Sequence, residues 1–490
     1  MKVRSPLRSI IIAVFFLVFT CPLAYAIPTI GTNFTGVTLN DTILLDSAAV
    51  PPDTMGAVGP NHIVELVNGA YAIYNKSGGM VTPLVTDTAF WSAAGISSGI
   101  LNSGLTDPRV VYDHASGRWF AAQITMSTTG NQVLVARSNT SDPTAGWKAV
   151  NFFGNTGFAD YPTLSLNANG VYIGTNNYTS ITGTFTTVSL FSIPKGDLLA
   201  VTPTLANMTR FDNLDSFTRG STLQGALDFG PSTHGSIVAV DEFSFDMLDR
   251  FNVNSPGGPG ATLSATTKIS VAATSFPPQG RQPDGTAQID TLHDRITANV
   301  VKIGDTLFMV HSIGVSGHSA LRWTLLDEST NAVIQEGTIS DPNFDYYQGA
   351  IAANNFGDVV LAYNRSGPGT GDFIGSYARV GEFSSGILTF DPSDLLLRAG
   401  DANYHLFVGH SGERWGDYSA VVVDPSDPFS FWAFQEYAAF PSSTTGRSRW
   451  ATQITQITVD SPVPEPATML LLGSGLIGLA GYGRKKFFKK

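Results

Sequence analysis

The sequence predicts an all-β body, a β-propeller of about seven four-stranded blades, on three observations. Short runs rich in β-branched and aromatic residues, bounded by Gly, Asn, Asp and Pro, recur from Ile27 to about Asp460 with no long stretch of 3.6-residue periodicity. Those runs read as variants of one unit repeated every ~50 to 70 residues, the spacing of a blade of four short strands. The composition agrees: 43% apolar, only 14% charged against a usual ~25%, and 50 glycines among 490 residues. Such a chain has the apolar surface for a large core and the glycines for many turns, and it lacks the high charge of a disordered one.

The units can be followed in order. Asp53-Thr-Met-Gly-Ala-Val-Gly, Asp107-Pro-Arg-Val-Val-Tyr-Asp and Asp160-Tyr-Pro-Thr-Leu-Ser-Leu each open on Asp and pass into a strand of small apolar residues. A turn and a second strand follow each: Ile63–Val67 after Gly59-Pro60-Asn61, Trp119–Ile124 after Ser116-Gly117, and Val171–Thr175 after Asn169-Gly170. Later units start at Ser236, Ala298, Ala350 and Asp417. In general layout the body resembles sialidase-like or YVTN-like propellers, at class level only. No WD, kelch or strict Asp-box signature is present, and Asp113-His-Ala-Ser-Gly-Arg-Trp119 is a loose echo of the last. Tandem β-sandwiches are the alternative architecture.

The repeated Asp53, Asp107, Asp160 and Asp417 point to a structural motif, a carboxylate capping strand amides near the central channel. Three residues stand as catalytic candidates should the body be a hydrolase. Glu413-Arg-Trp-Gly-Asp417-Tyr compresses two carboxylates beside an aromatic, as glycoside hydrolysis requires. Asp294, in His293-Asp294-Arg295, has a base and a cation beside it, though adjacent side chains on a strand face opposite ways. The repeat position of Asp417 favours structure over catalysis, so Glu413, Asp417 and Asp294 remain alternatives and no catalytic residue is assigned.

His234, His311, His318, His405 and His410 lack zinc-binding spacing. Asp391-Pro-Ser-Asp394 and Asp424-Pro-Ser-Asp427 read as turns without the alternating ligands of a calcium loop. No cofactor is expected, although a propeller channel has room for a structural ion. No nucleophile elbow, phosphate loop or dinucleotide fingerprint occurs in a strand-to-helix context.

The ends differ from the body. Lys2, Arg4 and Arg8, the apolar run Ile10–Phe19, and Ala24-Tyr25-Ala26 have the order of a signal peptide, with cleavage by signal peptidase after Ala26. The one cysteine, Cys21, leaves with it, so the mature chain forms no disulfide. With the basic ends set aside the body is more acidic than the −11 of the whole chain, which argues against a nucleic acid partner. At the far end Val463-Pro464-Glu465-Pro466 precedes an apolar run from Ala467 to Tyr482 and then Arg484, Lys485, Lys486, Lys489 and Lys490. Prolines keep the motif extended, the run over 467–483 reads as a transmembrane helix, and the cations hold its end in the cytoplasm.

This order resembles a PEP-CTERM tail, a type also known as the ice-binding protein C-terminal domain, though nothing in these residues contacts ice. The resemblance implies an exosortase-like transpeptidase as partner, membrane anchoring before processing, and display at the cell surface or in the extracellular matrix beside exopolysaccharide. The expected organisation is a signal peptide at 1–26, a propeller body at 27–460 and a sorting tail at 461–490. Two functions fit it: a non-catalytic binding or structural surface protein, and a secreted glycan-active hydrolase. Convergent carboxylates at a channel mouth would favour the second.

Overall fold

The structure, a computed structural model, describes residues 28–459 except 287, 407, 410 and 411, with backbone alone at 408 and 409. The signal segment, the Pro464-Glu465-Pro466 motif and the helix expected over 467–483 lie outside the described residues. No helix among the described residues is long and apolar enough to cross a membrane.

Antiparallel meanders follow one another along the chain, as the recurring strand–turn units require. The first is Met55–Val58, His62–Val67 and Ala70–Asn75. The second runs Leu105–Asp113, Arg118–Thr125, Gln132–Ser138 and Trp147–Phe153, and the third Ser165–Leu166, Gly170–Tyr178, Phe185–Pro194 and Thr209–Leu214. The fourth opens with Ser221–Asp228 and continues through Gly235–Val240 and Met247–Asn254. Here the expected unit start at Ser236 falls on a second strand, because the true first strand, rich in Ser, Thr and Gln, has too polar a sequence to announce itself. The fifth is Val300–Ile303, Thr306–Val315, His318–Asp327 and Ala332–Ile339, and the sixth begins Asp345–Ala353, Asp358–Ser366 and Gly375–Ser384. The last is Ala420–Asp424, Asp427–Ala439 and Arg449–Thr458, with Thr29–Thr38 from the opposite end of the chain as its outer strand. The fourth and fifth are joined through parallel pairing of Ala226–Asp228 with Val300–Lys302 into one nine-stranded sheet.

First strands of neighbouring meanders touch: Met55–Val58 lies between Leu105–Asp113 and Ala420–Asp424, and Asp345–Ala353 between Val300–Ile303 and Ala420–Asp424. That arrangement is of propeller type, with the first strands innermost. The core therefore lies in layers between sheets. Phe120, Val135 and Val111 of the second meander pack on Leu164, Ile173 and Phe191 of the third, and Phe308, Leu321 and Trp323 of the fifth on Ile351, Leu361 and Tyr363 of the sixth. Each such side chain contributes ~1.5–3 kcal/mol through burial. Crowding at the axis selects glycine: a Cβ on Gly56 would sit 2.0 Å from Phe434, and one on Gly225 1.8 Å from the Ser165 hydroxyl.

The last strand ends where the first strands end. Thr458 pairs with Ser430, next to the turn at Asp424, and Val459 N donates to Phe429 O at 2.9 Å. The tail thus leaves from one face, and the carboxylates described next lie on the other.

Candidate functional site at the channel mouth

On the face where the first strands begin, the backbone takes an unusual form. Asp53, Asp107, Tyr161, Thr222 and Gln348 have φ of 50°, 61°, 54°, 54° and 50°. Bulges interrupt the pairing across three of them, between Thr106 and Arg109, Ser221 and Gln224, and Tyr347 and Ala350. A left-handed L-residue costs of order 1–2 kcal/mol, least for Asp and Asn. The return lies in hydrogen bonds between meanders.

Asp53 Oδ1 accepts from Asp417 N at 2.8 Å and its Oδ2 from Asn68 Nδ2 at 2.7 Å. Asn68 Oδ1 accepts from Asp107 N at 2.9 Å, and Asp107 Oδ2 from Tyr161 N at 3.0 Å. A chain of acceptors and amides thus runs through four meanders. Hydrogen bonds to a charged group contribute ~1.5–3 kcal/mol each, which outweighs the backbone strain. Elsewhere uncharged groups make the links: Asn176 Oδ1 accepts from Thr222 N at 2.8 Å, and Gln348 Nε2 donates to Gly416 O.

One oxygen each from Asp53, Asp107 and Asp417 lies within 4.8 Å of the others. Arginines balance them. Arg414 reaches Asp417 Oδ1 at 2.5 Å and Asp290 Oδ2 at 3.0 Å. The fully buried Arg109 stands 3.4 Å from the Tyr418 ring centroid and donates to Pro162 O and Thr297 O at 2.9 and 3.1 Å. Burial, followed by the charges of Asp417 and Asp107, holds the Asp53 carboxyl well above the usual carboxylate range. Asp107 is raised by burial and Asp417, and Glu436 well raised chiefly by burial. Oxygens at this spacing fit a hard cation binding at ~2.3–2.6 Å. Arg414 already supplies positive charge at that point.

The mouth is covered. Arg281 Nε meets Asp345 Oδ2 at 2.7 Å, Gln282 Nε2 meets Tyr404 O at 2.9 Å, and Asp290 N meets Glu413 O at 3.0 Å. These bonds draw the segment around 280–290 over the first strands, and Asp53 and Asp107 keep only 2% and 5% exposure.

The structure brings Asp53, Asp107 and Asp417 together, with Asp160 near enough to feel the charges of Asp107 and Asp417, and leaves Glu413 and Asp294 apart. Asp160 is half-buried one residue before the left-handed Tyr161, its carboxyl raised well by burial and then by Asp107 and Asp417. Glu413 turns to the Leu406 amide at 3.0 Å and to His405, 3.8 Å away. Asp294 lies in a loop before the fifth meander, and burial raises its carboxyl to about 6. Burial, then Arg295, lowers His293. Sequence reasoning missed Arg109, Asn68 and Glu436; a lone arginine within the apolar strand after Asp107 was the available signal for the first. At the opposite end of the channel a cavity of about 370 Å³ is lined by small residues such as Gly56, Ala57, Val110, Ala352 and Val421, with Lys302 and Asp228 at one side.

Comparison with known proteins adds the following. Among solved structures the body is similar to a protein of unknown function from Dyadobacter fermentans (TM-score 0.38, 9% identity, 73% of this chain and 95% of that one). It is also similar to the GH93 α-L-arabinofuranosidase of Fusarium graminearum in complex with arabinobiose (0.40, 10%, 86% and 98%) and to Drosophila Plexin A in complex with Semaphorin 1b (0.39, 7%, 89% and 88%). At these TM-scores the likenesses decide nothing about activity. No curated protein matches the chain. Residues 462–485 match the PEP-CTERM protein-sorting motif, which marks an exported protein, membrane-anchored and then processed by exosortase-type machinery.

Proposed function

We propose that the chain is a cell-surface or extracellular-matrix protein whose propeller of seven blades, counting the joined sheet as two, acts by contact and not by catalysis. A signal peptide ending at Ala26 takes it out of the cell. The tail, a transmembrane helix over 467–483 behind Val463-Pro464-Glu465-Pro466, holds it until an exosortase-like enzyme processes it. The observation that carries the reading is the commitment of the convergent carboxylates. Asp53 and Asp107 spend their oxygens on amides of the chain and lie under cover, where a substrate has no access. On this reading Asp53 and Asp107 are blade staples, Asp417 joins them through its backbone while Arg414 holds its carboxylate, and Asp160 adds charge beside them.

A hydrolase is the second reading, and Asp294 favours it: a carboxyl raised to about 6 by burial suits general acid work. Incubating the full-length protein with a panel of extracellular polysaccharides and measuring released reducing ends separates the two. The contact reading expects no release. Release that Asp294→Asn abolishes at an unchanged melting temperature would overturn it.

A further inference from the structure

The same face carries an aromatic strip that none of the staples uses. Phe217, in the short helix Ser216–Arg219 before the fourth meander, and Phe243, in the turn between its second and third strands, stack at 3.6 Å and 5° and are 61% and 58% exposed. Two residues on, Phe245 meets Phe276 edge-on at 4.8 Å, and Phe276 meets His293 at 5.4 Å. Phe276 is 55% exposed and Phe245 39%. Four separate chain segments thus lay four phenylalanines and a histidine in a row, which ends at Asp294 and Arg295, where Arg295 reaches over the Tyr161 ring at 5.1 Å. Exposed aromatic surface on this scale marks a binding surface.

Three properties choose the occupant. The strip is on the face opposite the exit of the tail at Val459, so it points away from the membrane that anchors the unprocessed chain. Its exposed charged neighbours are the acceptor-only carboxylates Glu242 and Asp246, Asp294 lies at its inner end, and the half-buried Arg219 and Arg295 turn to the Phe251 and Tyr161 rings. The nearby Lys268 is neutralised by Asp241 and Asp249. Such a surface offers flat apolar faces flanked by acceptors and repels anions, which complements sugar rings, with apolar C–H faces and hydroxyl donors at their edges. A protein partner is less well matched, because the rings lie in an open row and not around a pocket that an anchor side chain could fill.

We infer that the row Phe217, Phe243, Phe245 and Phe276 is a docking surface for an extracellular glycan chain free of acidic groups. This rests on the contact reading and supplies its partner.

Affinity electrophoresis of the full-length protein through gels containing a neutral β-glucan, chitosan, alginate or poly-lysine tests it. Retardation is expected with the β-glucan or chitosan and none with alginate. The double substitution Phe243→Ala, Phe276→Ala should weaken it at least tenfold at an unchanged melting temperature, since both rings are mostly in solvent. No retardation by either sugar polymer, equal retardation of the variant, or a response to poly-lysine alone, which would mark charge attraction to the acidic body, overturns the inference. Reducing-end release with retardation that still depends on the phenylalanines would overturn the contact reading and leave the docking surface standing.

Discussion

Asp53 and Asp107 sit where two demands conflict: both oxygens of Asp53 accept hydrogen bonds as an ionised carboxylate does, while burial and neighbouring acids disfavour the charge. Asp417 stands at the edge of that cluster, tied to Arg414. Asp417→Ala should therefore cost ~1–2 kcal/mol and lower the melting temperature in a thermal scan, without removing any specific turnover. The raised acids also fix the sign of the pH dependence. A carboxyl whose folded pKa exceeds its unfolded value binds its proton more tightly in the native state. Its contribution is full below ~4 and is lost as pH rises through the folded value. For Asp294 and Asp249, raised to about 6, that window is roughly pH 4–6. Melting temperature against pH should fall less steeply there in Asp294→Asn than in the wild type. The sequence made Asp53 and Asp107 legible because Asp tolerates the left-handed backbone. Tyr161, Thr222 and Gln348 take the same conformation with no residue signature at all.

The strands were legible as strand–turn–strand runs, because their β-branched and aromatic residues alternate with Gly, Asn and Asp turns. Two elements were hidden for opposite reasons. Ser221–Asp228 is too polar for a buried strand, since it lies at the axis where Gln224 Nε2 donates to Ile296 O at 3.0 Å. The segment around 280–290 is held by isolated bridges, Gly280 with Ile289 and Ile289 with Glu413, and its contacts reach residues more than a hundred positions away, such as Tyr404 from Gln282. Tight packing of the first strand of one meander on the second strand of the last predicts that Gly56→Ala, whose new carbon would overlap Phe434, costs ~1–3 kcal/mol by overpacking. Gly99→Ala, with no atom within 4 Å in the helix Ser98–Leu101, should be neutral or slightly stabilising. Denaturant titration of the pair checks both. Thr29–Thr38 covers the edge of Arg449–Thr458 and places Val37 N on Glu65 Oε2 at 3.0 Å. Deleting residues 30–50 should expose that edge, lower the melting temperature of the whole body and promote aggregation visible by light scattering.

At the scale of the molecule, the two faces divide the work. Val459, the last described residue before the sorting motif, sits on the face where the first strands end, and the carboxylates and the aromatic strip occupy the other. The sorting motif was legible from sequence, because a proline motif, an apolar run and a basic end are each local signals in fixed order. The covered mouth was not, because cover is made by pairs such as Gln282 and Tyr404, 122 positions apart. The central claim, that this propeller body is exported and then released from its tail to act at the surface, is tested most directly by intact-mass measurement on cell-surface material. The account predicts a chain that begins at Ile27 and lacks the segment after Pro464-Glu465-Pro466. A mature chain that keeps residues 470–490 would contradict it.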